Sequence, residues 1–265
     1  MLDSLKAADY DRYLSALFAR SSARPHLFTL YAFNYEVAKT AESVSQPLAG
    51  QIRLQWWRDA IAELYAGHIR AHETVQALAE TVRAHDLPRA LFDGLIDARE
   101  NDLIEAPFAS MEALEAYCDA TSGNLMRLAL RILGARDSFD DAAHYAGIAY
   151  ALTGLLRALP FHARAGRLML PEILVSKEDI FAGEGGAKLS SAIGLIAERA
   201  RTYLEMVRTR RIPRRFLPAL LPAVLAPLYL KTTMRPGFDP FRDLTEIPVH
   251  RRQMAMLGAT LRGRI

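Results

Sequence analysis

The sequence predicts an all-α fold, and three observations lead to that prediction. Apolar residues recur at helical spacing in almost every segment, as Leu14, Leu17 and Phe18 do near the start of the chain. No stretch alternates apolar and polar residues as a half-buried strand does. The segment from Tyr145 to Leu156 carries no charge, which is typical of a helix at the centre of a bundle. We see no repeat of fixed period, and we predict a single domain over residues 1–265.

The predicted helices follow one another, separated by proline, glycine and serine residues that favour turns and helix ends. In chain order they cover residues 5–18, 26–44, 51–65, 69–84, 88–104, 111–133, the central helix that begins at 139, 187–207, 216–230 and 251–261. The pattern over 111–133 is interrupted near Ser122 and Gly123. The segment 171–186 is predicted to be a loop with a short helical turn.

The central helix changes character within one turn. Its uncharged part is followed by Arg157, His162, Arg164 and Arg167, and Leu170-Pro171 ends the stretch. A buried helix that ends in a basic cluster indicates the floor of an anion pocket. His162 is also a candidate for acid–base chemistry, although a structural histidine in an arginine-lined pocket is the interpretation we favour.

Composition excludes several functional classes. The chain has 265 residues, 51% hydrophobic and 24% charged, and a net charge of +3, which does not favour nucleic acid as a partner. With one cysteine, Cys118, neither a disulfide framework nor a cysteine-based metal site can form within the chain. The N-terminal residues resemble neither a secretory signal nor a transit peptide, and no segment reaches the apolar length of a membrane span. We therefore expect a cytoplasmic protein.

Three pairs of aspartates are spaced four residues apart and could place two carboxylates on one helical face: Asp93/Asp97, Asp137/Asp141 and Asp239/Asp243. Such a pair can bind Mg²⁺ when a phosphate and water complete the octahedron. Two of the three pairs border turns, and the third lies in an acidic, exposed pattern. We favour a solvated surface for all three.

The apolar segment Phe216 to Leu230 follows a basic segment, Arg208 to Arg215. It could lie on a membrane surface, with the arginines contacting lipid head groups. It could equally be a proline-interrupted helix that closes the bundle. The sequence leaves both interpretations open.

Three sets of residues give the chain a resemblance to the squalene/phytoene synthase family over about residues 10–230. They are Leu30-Tyr31-Ala32-Phe33, Tyr117-Cys118 with Ser122-Gly123, and Leu156-Arg157 followed by Gly166-Arg167 and Leu170-Pro171. The resemblance implies an isoprenoid-synthase-like helical bundle with a central cavity. It also implies prenyl diphosphate substrates and Mg²⁺ held by aspartates on two helices.

The aspartate-rich motifs that the resemblance implies are largely missing. The first-motif aspartates align with Ala38 and Glu42, and the second-motif aspartates align with Ala158 and His162. Two earlier polar positions align with Ala151 and Gly154. Alanine binds no metal, and imidazole is a poor Mg²⁺ ligand. The resemblance therefore implies a protein that does not ionise prenyl diphosphates by the family's route.

The pattern that remains resembles the branch of this family that serves in the assembly of mitochondrial respiratory complex I. The residues concerned are Ala32-Phe33-Asn34, Glu36, Ser43-Val44-Ser45, Gly50, Arg53, Gln55, Trp57, Leu156-Arg157-Ala158, Pro160 and His162. Without a transit peptide, a bacterial relative is expected. Pro160 would bend the central helix between the two lost ligand positions or end it early.

Three hypotheses follow. The first is a non-catalytic, membrane-peripheral assembly or lipid-binding factor for respiratory complex I, with no metal and no cofactor. The residues expected at the anion end of its pocket, facing a prenyl diphosphate or an anionic lipid, are Arg157, Arg164, Arg167, His162, Tyr31, Glu42 and Tyr117. The second is an active prenyltransferase with a remodelled Mg²⁺ site built from Glu42, Asp97 and Asp102. The third is a helical scaffold with a filled core.

Overall fold

The computed structural model is an all-α bundle, and it describes residues 2–44, 46–181, 183, 186–243 and 245–265. Ser45 of the quoted motif lies outside these residues. The α-helices, in chain order, are α1 Leu2–Ala8, α2 Tyr10–Leu17, α3 Arg24–Ala38, α4 Pro47–Tyr65, α5 Glu73–His85, α6 Arg89–Ala98, α7 Met111–Cys118, α8 Asn124–Ile132, α9 Asp140–Arg164, α10 Lys177–Phe181, α11 Ala187–Arg208, α12 Leu217–Val224, α13 Ala226–Thr233 and α14 Val249–Arg262. Within the described residues the only β pairing is an isolated bridge between Phe108 and Pro171.

Helix α9 is the central element, as its composition predicts. It packs against α8, α11, α12 and α13, and most of its side chains from Ala142 to Leu159 are buried. Pro160 does not end the helix, which continues to Arg164. There the left-handed Gly166 (φ 68°) reverses the chain.

Capping residues set several helix boundaries. The predicted helix over residues 5–18 is two helices, because the Asp9 side chain accepts a hydrogen bond from the Arg12 backbone N–H and starts α2. The predicted helix over residues 26–44 ends as α3 at Ala38 and continues as a 3₁₀ turn, Lys39–Glu42. The predicted interruption near Ser122 is a π-helical segment, Asp119–Gly123, between α7 and α8.

The segment after Arg215 closes the bundle. Helices α12 and α13 bury Leu217, Leu220, Leu221 and Leu230 completely. By length and composition, Arg214–Thr233 could cross a membrane (mean hydropathy 1.3), but 72% of its apolar window is buried inside the protein. The interpretation of Phe216–Leu230 as a membrane-surface helix is therefore wrong, because its apolar side chains are already packed in the core.

Candidate functional site

Two cavities adjoin at Ala158 of α9, which contributes to the walls of both. One has a volume of about 500 Å³ and contains Arg12, Arg99, Arg157 and Arg252; we call it the arginine cavity. The other has a volume of about 710 Å³, and we call it the loop cavity. Its walls come from the segment around Glu42, from residues 102–105, and from Ala158, Phe161, His162 and residues 165–167. Two cavities are thus present, whereas the scaffold hypothesis predicts none.

Asp11 organises one side of the arginine cavity. This buried carboxylate accepts hydrogen bonds from Nη1 of Arg252 and from the hydroxyl of Tyr229, both at 2.8 Å. The Arg157 guanidinium lies 3.7 Å above the centre of the Tyr229 ring, with Nη1 3.8 Å from the Asp11 carboxylate. Burial raises the pKa of Tyr229 to about 12, so its hydroxyl remains a donor. One carboxylate therefore faces two guanidinium groups.

Two further arginines are each paired with an aspartate. Arg12 contacts Asp9 at 2.6 Å and lies over the Tyr150 ring. Arg99 donates to the Asp102 carboxylate at 3.1 Å and to the Tyr117 hydroxyl at 3.0 Å. Burial alone would lower the pKa values of Arg12 and Arg99, but their anionic and phenolic neighbours outweigh it and raise both. Because an arginine side chain is not deprotonated in proteins, the cavity holds four guanidinium cations.

The arginine cavity retains unused hydrogen-bond donors. The buried Nε atoms of Arg99, Arg157 and Arg252 have no hydrogen-bond partner among the described residues. The four guanidinium groups face the carboxylates of Asp9, Asp11 and Asp102, which leaves one positive charge in excess. A site with surplus positive charge and unpaired guanidinium N–H groups suits a phosphate or a carboxylate.

The loop cavity has a different character. Glu42, Asp102 and Glu105 supply carboxylates, and His162 and Arg167 come from the end of α9 and the turn after it. Burial, reinforced by the positive charge of Arg167, lowers the pKa of His162 to about 4. The imidazole is therefore neutral near pH 7. Arg167 donates from Nη1 to the backbone carbonyl of Asp102 at 3.2 Å, which joins this turn to the segment after α6.

The structure distributes the predicted site residues over several places. Arg157 and Tyr117 line the arginine cavity, whereas Arg167, His162 and Glu42 line the loop cavity. Tyr31 is buried beside the arginine cavity's Arg12, and burial raises its pKa to about 12. Arg164 is exposed, 5.9 Å from the centre of the Phe161 ring, and lies outside both cavities. The prediction that Arg164 lies at the anion end of the pocket is wrong, because this side chain is on the solvent face of α9.

Sequence reasoning missed Arg12, Arg99 and Arg252. Asp9/Arg12 and Arg99/Asp102 are pairs three residues apart, a spacing that is equally common on exposed helices. Arg252 meets Asp11 across 241 positions of sequence, so no local pattern could indicate it.

The carboxylates do not fit the Mg²⁺ site of the family. Glu42 and Asp102 line the same cavity, but both oxygens of Asp102 are engaged by Arg99 and Tyr117. Asp97 contacts Arg58 at 2.7 Å on the surface. Across the part of the chain that the structure describes, no three His, Cys, Asp or Glu side chains are grouped to hold a metal ion. The donors proposed for a remodelled site are therefore not assembled.

The three aspartate pairs with four-residue spacing lie in salt bridges or turns, as the surface interpretation predicts. Their partners are Arg89 for Asp93, Arg58 for Asp97, Arg131 for Asp137, Arg210 for Asp141, Arg242 for Asp239 and Arg235 for Asp243.

Comparison with known proteins identifies the class to which this fold and these cavities belong. The family model described as squalene/phytoene synthase matches residues 5–253. The fold is that of a dehydrosqualene synthase crystal structure (TM-score 0.80, 16% identity, 98% of this chain and 94% of that one). It also matches a squalene synthase from Alicyclobacillus acidocaldarius (TM-score 0.68, 20% identity, 97% and 90%). The chain belongs to the squalene/phytoene synthase family and has its all-α isoprenoid-synthase fold.

Within this family, the chain is similar both to assembly factors and to synthases. It is 32% identical over 248 residues to NADH dehydrogenase (ubiquinone) complex I, assembly factor 6 of Mus musculus, covering 91% of this chain and 74% of that protein. The human assembly factor 6 is 30% identical over the same coverage. The present chain is also 31% identical over 215 residues to presqualene diphosphate synthase of Rhodopseudomonas palustris, and the match covers 78% of this chain and 76% of that protein.

Proposed function

We propose that this protein is a non-catalytic member of its family. It binds an anionic ligand in the arginine cavity and acts as a cytoplasmic, membrane-peripheral assembly or lipid-binding factor, with a subunit of respiratory complex I as its partner. The similarity to complex I assembly factor 6 over 91% of the chain supports the assembly role. The similarity to a presqualene diphosphate synthase supports a prenyl diphosphate as one ligand class, and an anionic lipid presents the same phosphate chemistry.

The observation that carries this proposal is the set of four arginines beside positions that cannot hold a metal. Arg157 precedes Ala158, and Ala151 and Gly154 line the same cavity without offering a donor. In such a site a phosphate group is neutralised by guanidinium groups alone, through paired N–H to oxygen bonds. The developing charge on a departing diphosphate would lack the stabilisation that a metal supplies, so the cavity favours binding over ionisation.

The proposal is tested by calorimetric titration with farnesyl diphosphate in the presence of EDTA. We expect the wild type to bind without metal. Replacing both Arg157 and Arg252 by alanine should weaken binding by about 100-fold or more, since two charge-assisted contacts of about 1.5–3 kcal/mol each are lost. The variant leaves the buried Asp11 carboxylate with the Tyr229 hydroxyl as its one remaining partner among the described residues, so we expect a lower melting temperature. Binding is therefore measured well below that temperature, where circular dichroism matches the wild type.

Arg164→Ala is the matched control, because Arg164 lies on the same helix as Arg157 but is exposed outside both cavities. Its affinity should equal that of the wild type. Failure of the wild type to bind in EDTA, or an unchanged affinity in the Arg157/Arg252 variant, would overturn the proposal.

A further inference from the structure

The outer face of α14 carries an apolar stripe. Met256 and Ala259 face the core and are buried. On the opposite face, at positions i, i+3 and i+7, Met254, Leu257 and Leu261 are 64%, 41% and 67% exposed. Three large apolar side chains in register on the solvent side of one helix form a surface that prefers contact with an apolar phase.

A cluster of arginines adjoins this stripe. The segment 208–215 reaches the end of α14, where Arg214 donates from Nη2 to the backbone carbonyl of Leu261 at 2.8 Å. Arg208, Arg262 and Arg264 line a common groove between these two segments. We call the exposed arginines of both segments the basic patch: Arg208, Arg210, Arg211, Arg214, Arg215, Arg262 and Arg264.

The basic patch is largely without compensating negative charge. Arg210 pairs with Asp141 at 3.2 Å, and within the described residues it alone among the seven contacts a carboxylate. The neighbouring Asp137 and Asp140 are paired with Arg131. Among the residues that the structure describes, six guanidinium groups beside an exposed apolar stripe therefore lack a carboxylate partner, and Arg214 among them donates one hydrogen bond to the Leu261 carbonyl.

We propose that the outer face of α14 and the basic patch together dock on the surface of an anionic lipid bilayer. The apolar side chains enter the interface between head groups and acyl chains, and the arginines reach the phosphates around them. The excess of positive charge selects an anionic surface, and the outward, ridge-like stripe suits a soft bilayer rather than a preformed groove. This inference rests on the membrane-peripheral part of the proposed function, and it does not involve the arginine cavity.

Vesicle flotation tests the proposal. The full-length protein should float with phosphatidylcholine vesicles that contain about 30% phosphatidylglycerol and remain behind with pure phosphatidylcholine. Leu257→Glu with Leu261→Glu, and separately Arg211→Glu with Arg215→Glu, should each reduce the bound fraction by about tenfold or more. All four residues are exposed, so the variants should keep the wild-type melting temperature.

Two controls match these changes elsewhere on the surface. Ile173→Glu replaces an apolar residue that is 82% exposed, and Arg83→Glu with Arg89→Glu reverses two exposed arginines on α5 and α6. Both should bind anionic vesicles as the wild type does. Equal losses of vesicle binding in the test and control variants would overturn the inference. A wild type that does not bind anionic vesicles, or that binds only an acidic protein, would overturn it as well.

Titration of the same variants with farnesyl diphosphate separates the two proposals. Vesicle binding without diphosphate binding would contradict the ligand-binding role alone. Diphosphate binding by a protein that does not float with anionic vesicles would contradict the docking surface and the membrane-peripheral role, and would leave the ligand-binding role standing. A wild type that floats while the α14 and arginine variants float equally well would contradict the docking surface alone.

Discussion

At the level of single residues, the arginine cavity is defined by a buried carboxylate and the guanidinium groups around it. Asp11 is only 4% exposed, yet it holds Arg252 and Tyr229 by hydrogen bonds and has Arg157 nearby. Removing one partner of a buried ion pair leaves an uncompensated charge, which is costly. The ordered arginines are thus positioned before any ligand arrives, and pre-positioning lowers the entropic cost of binding.

His162 gives the loop cavity a dependence on pH. Its pKa is lowered from 6.5 to about 4, so between these values the unfolded chain binds a proton that the folded protein does not. The free energy of unfolding therefore falls as the pH falls through this window. From pH 7 to pH 5 the free energy of unfolding of the wild type should fall by about 2 kcal/mol more than that of His162→Gln, because glutamine has no group that titrates.

Urea unfolding of both proteins at the two pH values measures this difference. The comparison between wild type and variant removes contributions from other groups, such as His85, whose pKa is also lowered by burial. Parallel losses of stability in the two proteins would contradict the assignment of a buried, neutral imidazole at position 162.

At this scale the sequence predicted only part of the site. The basic cluster after Leu156 indicated an anion pocket, and Arg157 does line one. The difference between Arg164 and Arg167 could not be predicted, because it depends on the left-handed Gly166. That residue turns the chain so that the Arg167 N–H bonds back to the His162 carbonyl, while Arg164 stays on the solvent face of α9.

At the level of elements, close packing joins α9 to the π-helical segment Asp119–Gly123. A Cβ atom on Gly147 would lie 2.5 Å from both the Cα and the N of Gly123. Backbone atoms cannot move aside as a side chain can. At Gly147 the backbones of α9 and the π-helical segment therefore approach too closely for a Cβ atom, next to Ser122, which lines the arginine cavity.

Two glycines on α9 give a matched test of this contact. Gly147→Ala should lower the free energy of unfolding by about 1–3 kcal/mol, as overpacking in a core does. Gly154→Ala should leave it unchanged or raise it by up to about 1 kcal/mol, because its Cβ meets nothing within 4 Å and alanine favours the helix. Thermal or urea unfolding measures both, and equal effects of the two substitutions would contradict the packing account.

The helices were the most predictable elements, because burial imposes a 3.6-residue period on their apolar residues. The break near Ser122-Gly123 was also visible in the sequence and is the π-helical segment. The effect of Pro160 was not predictable. The pattern allowed a bend or an early end, and the end of α9 falls instead at Arg164, where Gly166 supplies the chain reversal.

At the level of the whole molecule, the fold and the chemistry of the site are separable. The bundle superimposes on a dehydrosqualene synthase with a TM-score of 0.80 at 16% identity. A fold of this kind needs apolar faces in the right register, which many sequences supply, whereas catalysis needs particular ligands at particular positions. In the alignment that the resemblance implies, Ala38 and Ala158 stand where catalysis needs aspartates, and the proposal of a non-catalytic protein depends on that alignment.

The apolar segments of the chain differ in whether the fold buries them or leaves them on the surface. Phe216–Leu230 was a reasonable candidate for membrane contact from its composition, but the bundle needs those side chains for its own core. The exposed apolar stripe lies instead on α14, where the sequence analysis predicts a helix but no exposed apolar face. Whether an apolar helix faces the core or the solvent depends on its neighbours, and single-sequence patterns do not contain that information.

The central claim is that the arginine cavity binds a diphosphate without ionising it. The most direct test is the release of inorganic diphosphate from farnesyl diphosphate in the presence of Mg²⁺, with a presqualene diphosphate synthase as the positive control. We predict release no faster than in the protein-free reaction, from a protein that binds the same compound in EDTA. Release at a rate comparable with the control enzyme would contradict the claim and establish the alternative, an active prenyltransferase with a remodelled metal site.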